Sequence, residues 1–291
     1  MKVVLAALGG TARDTTTLEC AGALARLFAS HIIACHVHPD AAAMMPMLGG
    51  EASGALVAEF MRLAEEEAAA QQKRANAAFT GWQAASGLAM ATSPGTEGPT
   101  VEWQHVLGLA AEALPGLGRV ADILVVARPE ADSAGIHIGI IEAALFESGR
   151  PVLLAPQKMP AKLGRNIGVA WNGTPESAHA LAAAMPLLAQ ADTVSVLSHH
   201  PGSNGHVGAT DETDVHGLIA YLGWHGIAAR IAPQAPEGHH VGQALVAGAV
   251  AASADLLVMG AYGHSRLRQL IFGSTTSTLL RLSDVPVLIL R

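Results

Sequence analysis

The sequence predicts an α/β protein made of two tandem domains, each a five-stranded parallel sheet with helices on both faces. Short apolar runs rich in β-branched residues, which are typical of buried strands, alternate with longer helical patterns along the chain. An internal repeat indicates that the two halves share one architecture. Three segments recur: 2–7 as 166–171, 121–126 as 254–259, and 151–154 as 286–289.

Composition narrows the class of protein. A chain of 291 residues exceeds one ordinary domain, and 51% hydrophobic with 14% charged residues is ample for buried cores. The net charge of −7 argues against a nucleic-acid partner or an anionic membrane surface. Two cysteines make no disulfide framework, and the first apolar run is too short to span a bilayer. These observations predict a cytoplasmic protein.

The first half, residues 1–157, contains one pattern that stands out by its length. Residues 56–85 predict a long helix whose inward face carries Phe60, Leu63 and Ala64, and residues 39–54, rich in Pro, Gly and Met, predict a loop. The strands are predicted at 2–8, 32–37, 101–105, 123–127 and 152–155, and the other helices at 14–29, 106–116 and 138–147.

The second half, residues 165–291, repeats the order after a short linker that contains Pro160 and Gly164. Thr174 is predicted to cap a helix that has Pro175 at its first position. The strands are predicted at 167–171, 193–198, 227–232, 255–259 and 286–290, and the helices at 175–190, 211–225 and 239–252.

A glycine-rich loop in the second half is the strongest candidate for a binding site. The strand at 256–259 stops at Gly260, Gly263 follows, and Gly273 opens a helical pattern. Glycines let the backbone approach a ligand without a Cβ in the way, and a helix N-terminus presents free N–H groups and a positive dipole end. Both features favour phosphate binding at the carboxyl edge of the sheet. The alternative is that these small residues only make a tight strand-to-helix connection.

The spacing Gly260-x2-Gly263-x9-Gly273-Ser274 closely resembles the ATP-binding pattern of the universal stress protein family. Residues 167–178 also look like that family's opening strand and first helix, so the resemblance covers residues 166–291. It implies a strand order of 3-2-1-4-5 in each sheet and a bound ATP, with or without Mg²⁺.

Chemistry and resemblance together define a set of candidate ATP-binding residues. The three glycines of the pattern would permit close backbone approach, and the hydroxyls of Ser274 and Thr275 would bond the phosphates. Residues 264–266 would flank the phosphates, and residues 172–174 would serve the nucleoside. The full set is Asn172, Gly173, Thr174, Met259, Gly260, Gly263, His264, Ser265, Arg266, Gly273, Ser274 and Thr275.

Two departures from the family pattern matter. Asn172 stands where the family usually has an aspartate, which leaves hydrogen bonding possible but removes a negative charge and a metal-binding carboxylate. In the first half, Ala127 and Glu130 stand where the second half has Gly260 and Gly263. We therefore expect the first half to have lost nucleotide binding.

No catalytic residue and no metal site is predicted. The sequence has no Walker A pattern, no Gly-x-Ser-x-Gly elbow and no Cys-x-x-Cys. Its fourteen histidines include no His-x3-His pair on a helix face, so they are interpreted as surface and loop residues. Slow ATP hydrolysis or self-phosphorylation at Ser274 or Thr275 stays open.

The resulting hypothesis is a nucleotide-dependent regulatory protein of the stress response, with an unknown protein partner. The resemblance implies a homodimer, and within the chain a pseudo-dimer in which residues 285–290 pair with residues 151–155. Two rivals remain. One is a scaffold that no longer binds nucleotide, and the other is a weak ATPase or nucleotide-transferring enzyme.

Overall fold

The computed structural model of the protein describes residues 1–43, 54–129, 134–198, 212–233, 241–261 and 284–291. The chain divides into two compact units. The first contains residues 1–127 and 135–150, and the second contains residues 128–134 and 151–291. In the described ranges, no helix combines the length and the apolar character that a membrane span requires.

The first unit is a parallel sheet with helical connections. Its strands lie in the order β3-β4-β2-β1-β5, and each adjacent pair is parallel. Along the chain its elements are β1 (Val3–Leu8), α1 (Asp14–Phe28), β2 (His31–His38), α2 (Gly54–Ser86), β3 (Ala89–Met90), β4 (Thr100–Leu107), α3 (Ala110–Gly118), β5 (Ile123–Ala127) and α4 (Ala134–Glu147).

The second unit has the strand order β6-β11-β10-β7-β8-β9, in which β6 and β11 are antiparallel and all other pairs are parallel. Counted from β7, its parallel strands follow the expected order 3-2-1-4-5, and the predicted α/β class is confirmed. Its elements are β6 (Val152–Ala155), β7 (Asn166–Ala170), α5 (Pro175–Leu188), β8 (Thr193–Leu197), α6 (Glu212–Trp224), β9 (Ala229–Ile231), α7 (Val241–Ala251), β10 (Leu256–Gly260) and β11 (Val287–Leu290).

The expected pairing of the closing strands is present between β6 and β11. Leu153 lies opposite Leu288, and all four residues of β6 are buried. This pairing explains why residues 151–155 cluster with the second unit.

An aspartate anchors the start of β1 in the first unit and of β7 in the second. These aspartates are Asp122, just before β5, and Asp255, just before β10. The carboxylate of Asp122 accepts hydrogen bonds from the backbone N–H groups of Lys2 and Val3, the latter at 3.1 Å. The carboxylate of Asp255 accepts from Asn166 at 3.1 Å and from the two residues before it. Val3 and Asn166 are therefore equivalent, and the sequence repeat that aligned Lys2 with Asn166 was one residue out of register.

Three features of the first unit differ from the predictions. The strand predicted at 101–105 extends to Leu107 because it pairs with β2 as far as His38, so α3 begins only at Ala110. The two-residue strand β3 was missed. The inward face predicted for α2 was wrong at Leu63, which is 51% exposed, whereas Phe60 and Ala64 are partly buried.

The buried residues of α2 are Ala68, Ala75 and Phe79, which lie in its middle and toward its C-terminal end. The helix contacts α1 and β2, and the ring of Phe79 lies 5.3 Å from the ring of Trp103 on β4. Alanines at the contacts let the helix approach its neighbours closely. The sequence prediction looked for large apolar side chains near the start of α2 and therefore missed this packed face.

Both cysteines are buried in the first unit, Cys20 on α1 and Cys35 on β2, and neither forms a disulfide. Burial raises the pKa of the Cys35 thiol to about 11. Cys20 and Cys35 are therefore buried free thiols.

Candidate functional site

Two adjacent parallel strands of the second unit end at the candidate site. Ala170, the last residue of β7, pairs with Met259, the penultimate residue of β10. The turn at 172–174, which follows β7, and Gly260, the last residue of β10, therefore lie at one edge of the sheet. In open α/β sheets this carboxyl edge is where ligands bind.

The turn after β7 is held by hydrogen bonds of its own. Asn172 Oδ1 accepts from the backbone N–H of Thr174 at 3.3 Å and from its hydroxyl at 2.8 Å. Thr174 Oγ1 in turn accepts from the Ser177 N–H at 3.4 Å, which confirms Thr174 as the cap of α5. The amide oxygen of Asn172 thus already has two donors inside the turn, and this limits what else it can accept.

Gly260 makes room for the start of α5. A Cβ built on Gly260 would lie 2.4 Å from the carbonyl carbon of Glu176 and 2.5 Å from the backbone nitrogen of Ser177. The missing side chain at Gly260 is therefore required by helix packing. The sequence left open whether Gly260 serves ligand binding or only tight packing, and the geometry supports packing for this glycine.

Gly173 has a φ of +70°, which only glycine adopts without strain. A Cβ built there would lie 3.2 Å from Oδ2 of Asp214, a residue in the first turn of α6. Asp214 is exposed. Sequence reasoning missed this carboxylate, which lies beside the candidate nucleoside turn. An alignment of α2 with α6 would have drawn attention to Asp214.

The equivalent turn of the first unit is filled by the protein itself. Gly10 also has a φ of +70°, but a Cβ there would lie 2.3 Å from the backbone oxygen of Gln71 on α2. The buried carboxylate of Asp14 accepts from the N–H groups of Gly9 at 3.0 Å and Gly10 at 2.9 Å, and Arg74 Nε donates to the Gly10 carbonyl at 2.7 Å. The polar groups of this turn are thus engaged internally.

A cluster of aromatic side chains lies at the ends of β2 and β4 in the first unit. The rings of His36, His38 and His105 have centroids 5.5 to 6.5 Å apart, and His36 is stacked with Trp103 at 6.4 Å. His36 is 1% exposed, and its Nδ1 lies 2.9 Å from the Leu8 carbonyl oxygen. Its Nε2 has no hydrogen-bond partner among the described residues. Burial is the main cause that lowers the pKa of His36.

The histidine cluster was not predicted, although alternate histidines at positions 36 and 38 of a strand necessarily share one face. In the described part of the chain, no three His, Cys, Asp or Glu side chains are arranged to hold a metal ion.

Much of the predicted site lies outside the described residues. This applies to the loop and helix start that would hold the phosphates, and to Glu130 in the first half. The predicted residues concerned are Gly263, His264, Ser265, Arg266, Gly273, Ser274 and Thr275. The described members of the set are Asn172, Gly173, Thr174, Met259 and Gly260.

Comparison with known proteins supports the resemblance. Residues 227–291 match the sequence model of the universal stress protein family. In this part, the chain is similar to the universal stress protein family. Over 37 residues the chain is 60% identical to the universal stress protein Slr1230 of Synechocystis sp. (strain ATCC 27184 / PCC 6803 / Kazusa), and the matched stretch is 13% of each protein.

The universal stress protein fold extends over the whole chain. A crystal structure of a universal stress protein from Archaeoglobus fulgidus DSM 4304 is similar with a TM-score of 0.64 and 17% identity, covering 99% of this chain and 96% of that one. A functionally unknown protein, PA1789 from Pseudomonas aeruginosa PAO1, is similar with a TM-score of 0.55 and 15% identity, covering 100% and 92%. At such identities the likeness concerns the fold alone.

Proposed function

We propose that the second half of the chain, residues 165–291, binds one ATP at the carboxyl ends of β7 and β10, and that the first half, residues 1–157, does not. The observation that carries this is the pairing of Ala170 with Met259. It brings the turn at 172–174 and the start of the Gly260-x2-Gly263-x9-Gly273-Ser274 pattern to one edge of one sheet. The family matched by residues 227–291 supports the same reading of that pattern.

The phosphates would be held by the backbone N–H groups and hydroxyls of residues 273–275, with residues 264–266 beside them. Mg²⁺ bound with the ATP would neutralise phosphate charge, and it would need few protein ligands because it retains several of its waters. The nucleoside would lie against residues 172–174. Since Gly260 is packed against α5, its role is to let the helix start reach this edge, while Gly263 and Gly273 would admit the ligand.

The contrast between the two units supports the assignment of binding to one half only. In the first unit the backbone of α2 lies against Gly10, and Asp14 and Arg74 take up the polar groups of the turn. In the second unit a side-chain carboxylate, that of Asp214, stands beside the equivalent glycine. Among the described residues, Asp214 is the one that comes within 4 Å of a Cβ on Gly173, and an exposed side chain obstructs a ligand less than helix backbone does.

We further infer that nucleotide biases association with a protein partner instead of being turned over, and that the protein acts in the cytoplasm as a homodimer. Two buried free cysteines suit a reducing compartment. A weak ATPase on the same fold would reveal itself as phosphate release that depends on Mg²⁺ and disappears in Ser274→Ala while ATP still binds.

Titration calorimetry tests the proposal with ATP, AMP and a cyclic dinucleotide, each with and without Mg²⁺. The decisive variant is Gly273→Glu, which would place a side chain and a negative charge in the phosphate position. Its matched control is Gly139→Glu on α4 of the first unit, where a Cβ would have no atom of the described residues within 4 Å. We expect about one ATP per chain, lost in Gly273→Glu and unchanged in Gly139→Glu. Folded, nucleotide-free protein that binds none of these ligands would favour the scaffold.

A further inference from the structure

We propose that Asp214 is the residue that recognises the ribose hydroxyls of the bound nucleotide, an inference that rests on the proposed function. Ribose hydroxyls are donors that need an acceptor, and a carboxylate commonly supplies it in nucleotide-binding α/β sheets. The ligand class that follows is a nucleotide with an intact ribose diol.

The turn after β7 cannot readily supply that acceptor through Asn172. The amide oxygen of Asn172 accepts from the Thr174 N–H at 3.3 Å and from the Thr174 hydroxyl at 2.8 Å. An amide oxygen has two lone pairs, and both donors here come from within the turn. A ribose hydroxyl at this position would have to find its acceptor on another element.

Asp214 is placed to be that acceptor. Its Oδ2 lies 3.2 Å from the position of a Cβ on Gly173, so the carboxylate stands directly beside the turn. Its side chain is exposed, and no described Lys, Arg or His forms an ion pair with it. A carboxylate that no cation of the described ranges engages retains its acceptor capacity for a ligand.

The fold itself does not require a carboxylate at this position. The helices α2 and α6 are each followed by a glycine of positive φ, Gly87 at +68° and Gly226 at +74°. Twelve residues before its glycine, α6 has Asp214 and α2 has Ala75. Ala75 is fully buried in the first unit, whose turn is covered by α2. The unit that has the glycine pattern thus has the carboxylate, and the unit that lacks the pattern has a packed alanine.

The test is a double-mutant cycle that combines substitutions of Asp214 with ATP analogues lacking ribose hydroxyls. ATP, 2′-deoxy-ATP, 3′-deoxy-ATP and 2′,3′-dideoxy-ATP are titrated calorimetrically into the native protein, Asp214→Ala and Asp214→Asn. Asp192→Ala is the control, because it removes an equal charge from an exposed ion pair with Arg165 at the opposite end of the strands. Urea unfolding of each variant verifies that it is folded.

For the native protein we expect dideoxy-ATP to bind at least about tenfold more weakly than ATP, as befits hydrogen bonds to a charged group. In Asp214→Ala this difference should fall below about twofold, while Asp192→Ala retains it. An unchanged sugar preference in Asp214→Ala would overturn the assignment and leave ATP binding intact. Tighter ATP binding in Asp214→Ala would also overturn it, since the carboxylate would then face phosphates. Native protein that binds no nucleotide would instead refute the proposed function itself.

Discussion

The backbone nitrogen of Ser177 lies only 2.5 Å from the point where a side chain on Gly260 would begin. The last residue of β10 therefore supports the first turn of α5. We expect Gly260→Ala to destabilise the protein by about 2 kcal/mol or more, because the atoms in the way belong to helix backbone and cannot rotate aside. Urea unfolding measures the change.

Gly223→Ala is the matched control for this prediction. Gly223 lies on α6, and among the described residues no atom comes within 4 Å of a Cβ built there. Alanine is the better helix former by about 0.5–1 kcal/mol, so this variant should be slightly more stable than the native protein. Equal stability of Gly260→Ala and Gly223→Ala would contradict the close contact.

Asp255 anchors the entry to β7 and should be worth more than an aspartate in an exposed ion pair. Its carboxylate accepts from the N–H groups of Gly164, Arg165 and Asn166 at 2.8 to 3.1 Å. We expect Asp255→Ala to cost about 2 kcal/mol, because three donors lose their partner together. Thermal unfolding checks this.

Asp192 provides the comparison, since it contacts the same Arg165 through its side chain at 2.7 Å. That pair is exposed, so Asp192→Ala should cost less than about 1 kcal/mol and the cost should shrink in high salt. If Asp192→Ala were the more destabilising variant, the anchoring role of Asp255 would be wrong.

Thr174 is expected to contribute through its hydroxyl. Thr174→Ala removes the cap of α5 and the bond to Asn172 and should cost about 1 kcal/mol. Thr174→Ser keeps the hydroxyl and should stay within about 0.5 kcal/mol of the native stability. Chemical denaturation of the two variants at one pH makes the comparison, and equal losses would show that the hydroxyl is not the cause.

His36 makes the first unit sensitive to acid. Its pKa in the folded protein lies below the ordinary value of 6.5, mainly because the ring is buried, and the neighbouring His105 and His38 lower it further. The unfolded chain therefore takes up the proton at higher pH than the folded chain does. The stability that the neutral ring contributes is present above about pH 6.5 and is lost as the pH falls below it.

We expect the free energy of unfolding to decrease from pH 7 to pH 5.5 and to decrease less in His36→Gln. Each unit of pKa difference corresponds to about 1.4 kcal/mol of this effect. Burial raises the pKa of Asp14 and Asp255, which stabilises the fold as the pH falls and opposes the effect of His36. Both aspartates are present in the native protein and in His36→Gln, so the difference between the two curves isolates the histidine. His216→Gln, on the exposed side of α6, is the control and should follow the native curve.

The sequence was most informative where one physical signal dominated. The β-branched runs at 123–127 and 256–259 located strands to within one residue, because burial on both faces of a parallel sheet leaves little choice of residue. The pair Thr174 and Pro175 located a helix start, since capping is a local interaction. The strand order came from the family resemblance, not from periodicity.

Contacts between segments that are distant along the chain could not be predicted from such local sequence signals. The approach of Asp214 to Gly173 depends on where α6 lies over the sheet, and the contact of Gly260 with Ser177 depends on how α5 starts. Likewise, alanines at positions 68 and 75 carry the packing of α2, which a search for large apolar residues overlooks. Half of the proposed ATP site, residues 263–275, stays a prediction from its spacing.

The buried state of the two cysteines makes the protein convenient for fluorescence work. Thiol reagents attack the thiolate, and at neutral pH a Cys35 thiol with a pKa of about 11 remains protonated behind the packed core, where Cys20 also lies. A maleimide dye should therefore leave the native chain unlabelled and react once with a Gly217→Cys variant. Gly217 is exposed on α6, one turn from Asp214. A dye there would report nucleotide arrival by its emission, without removing any native cysteine.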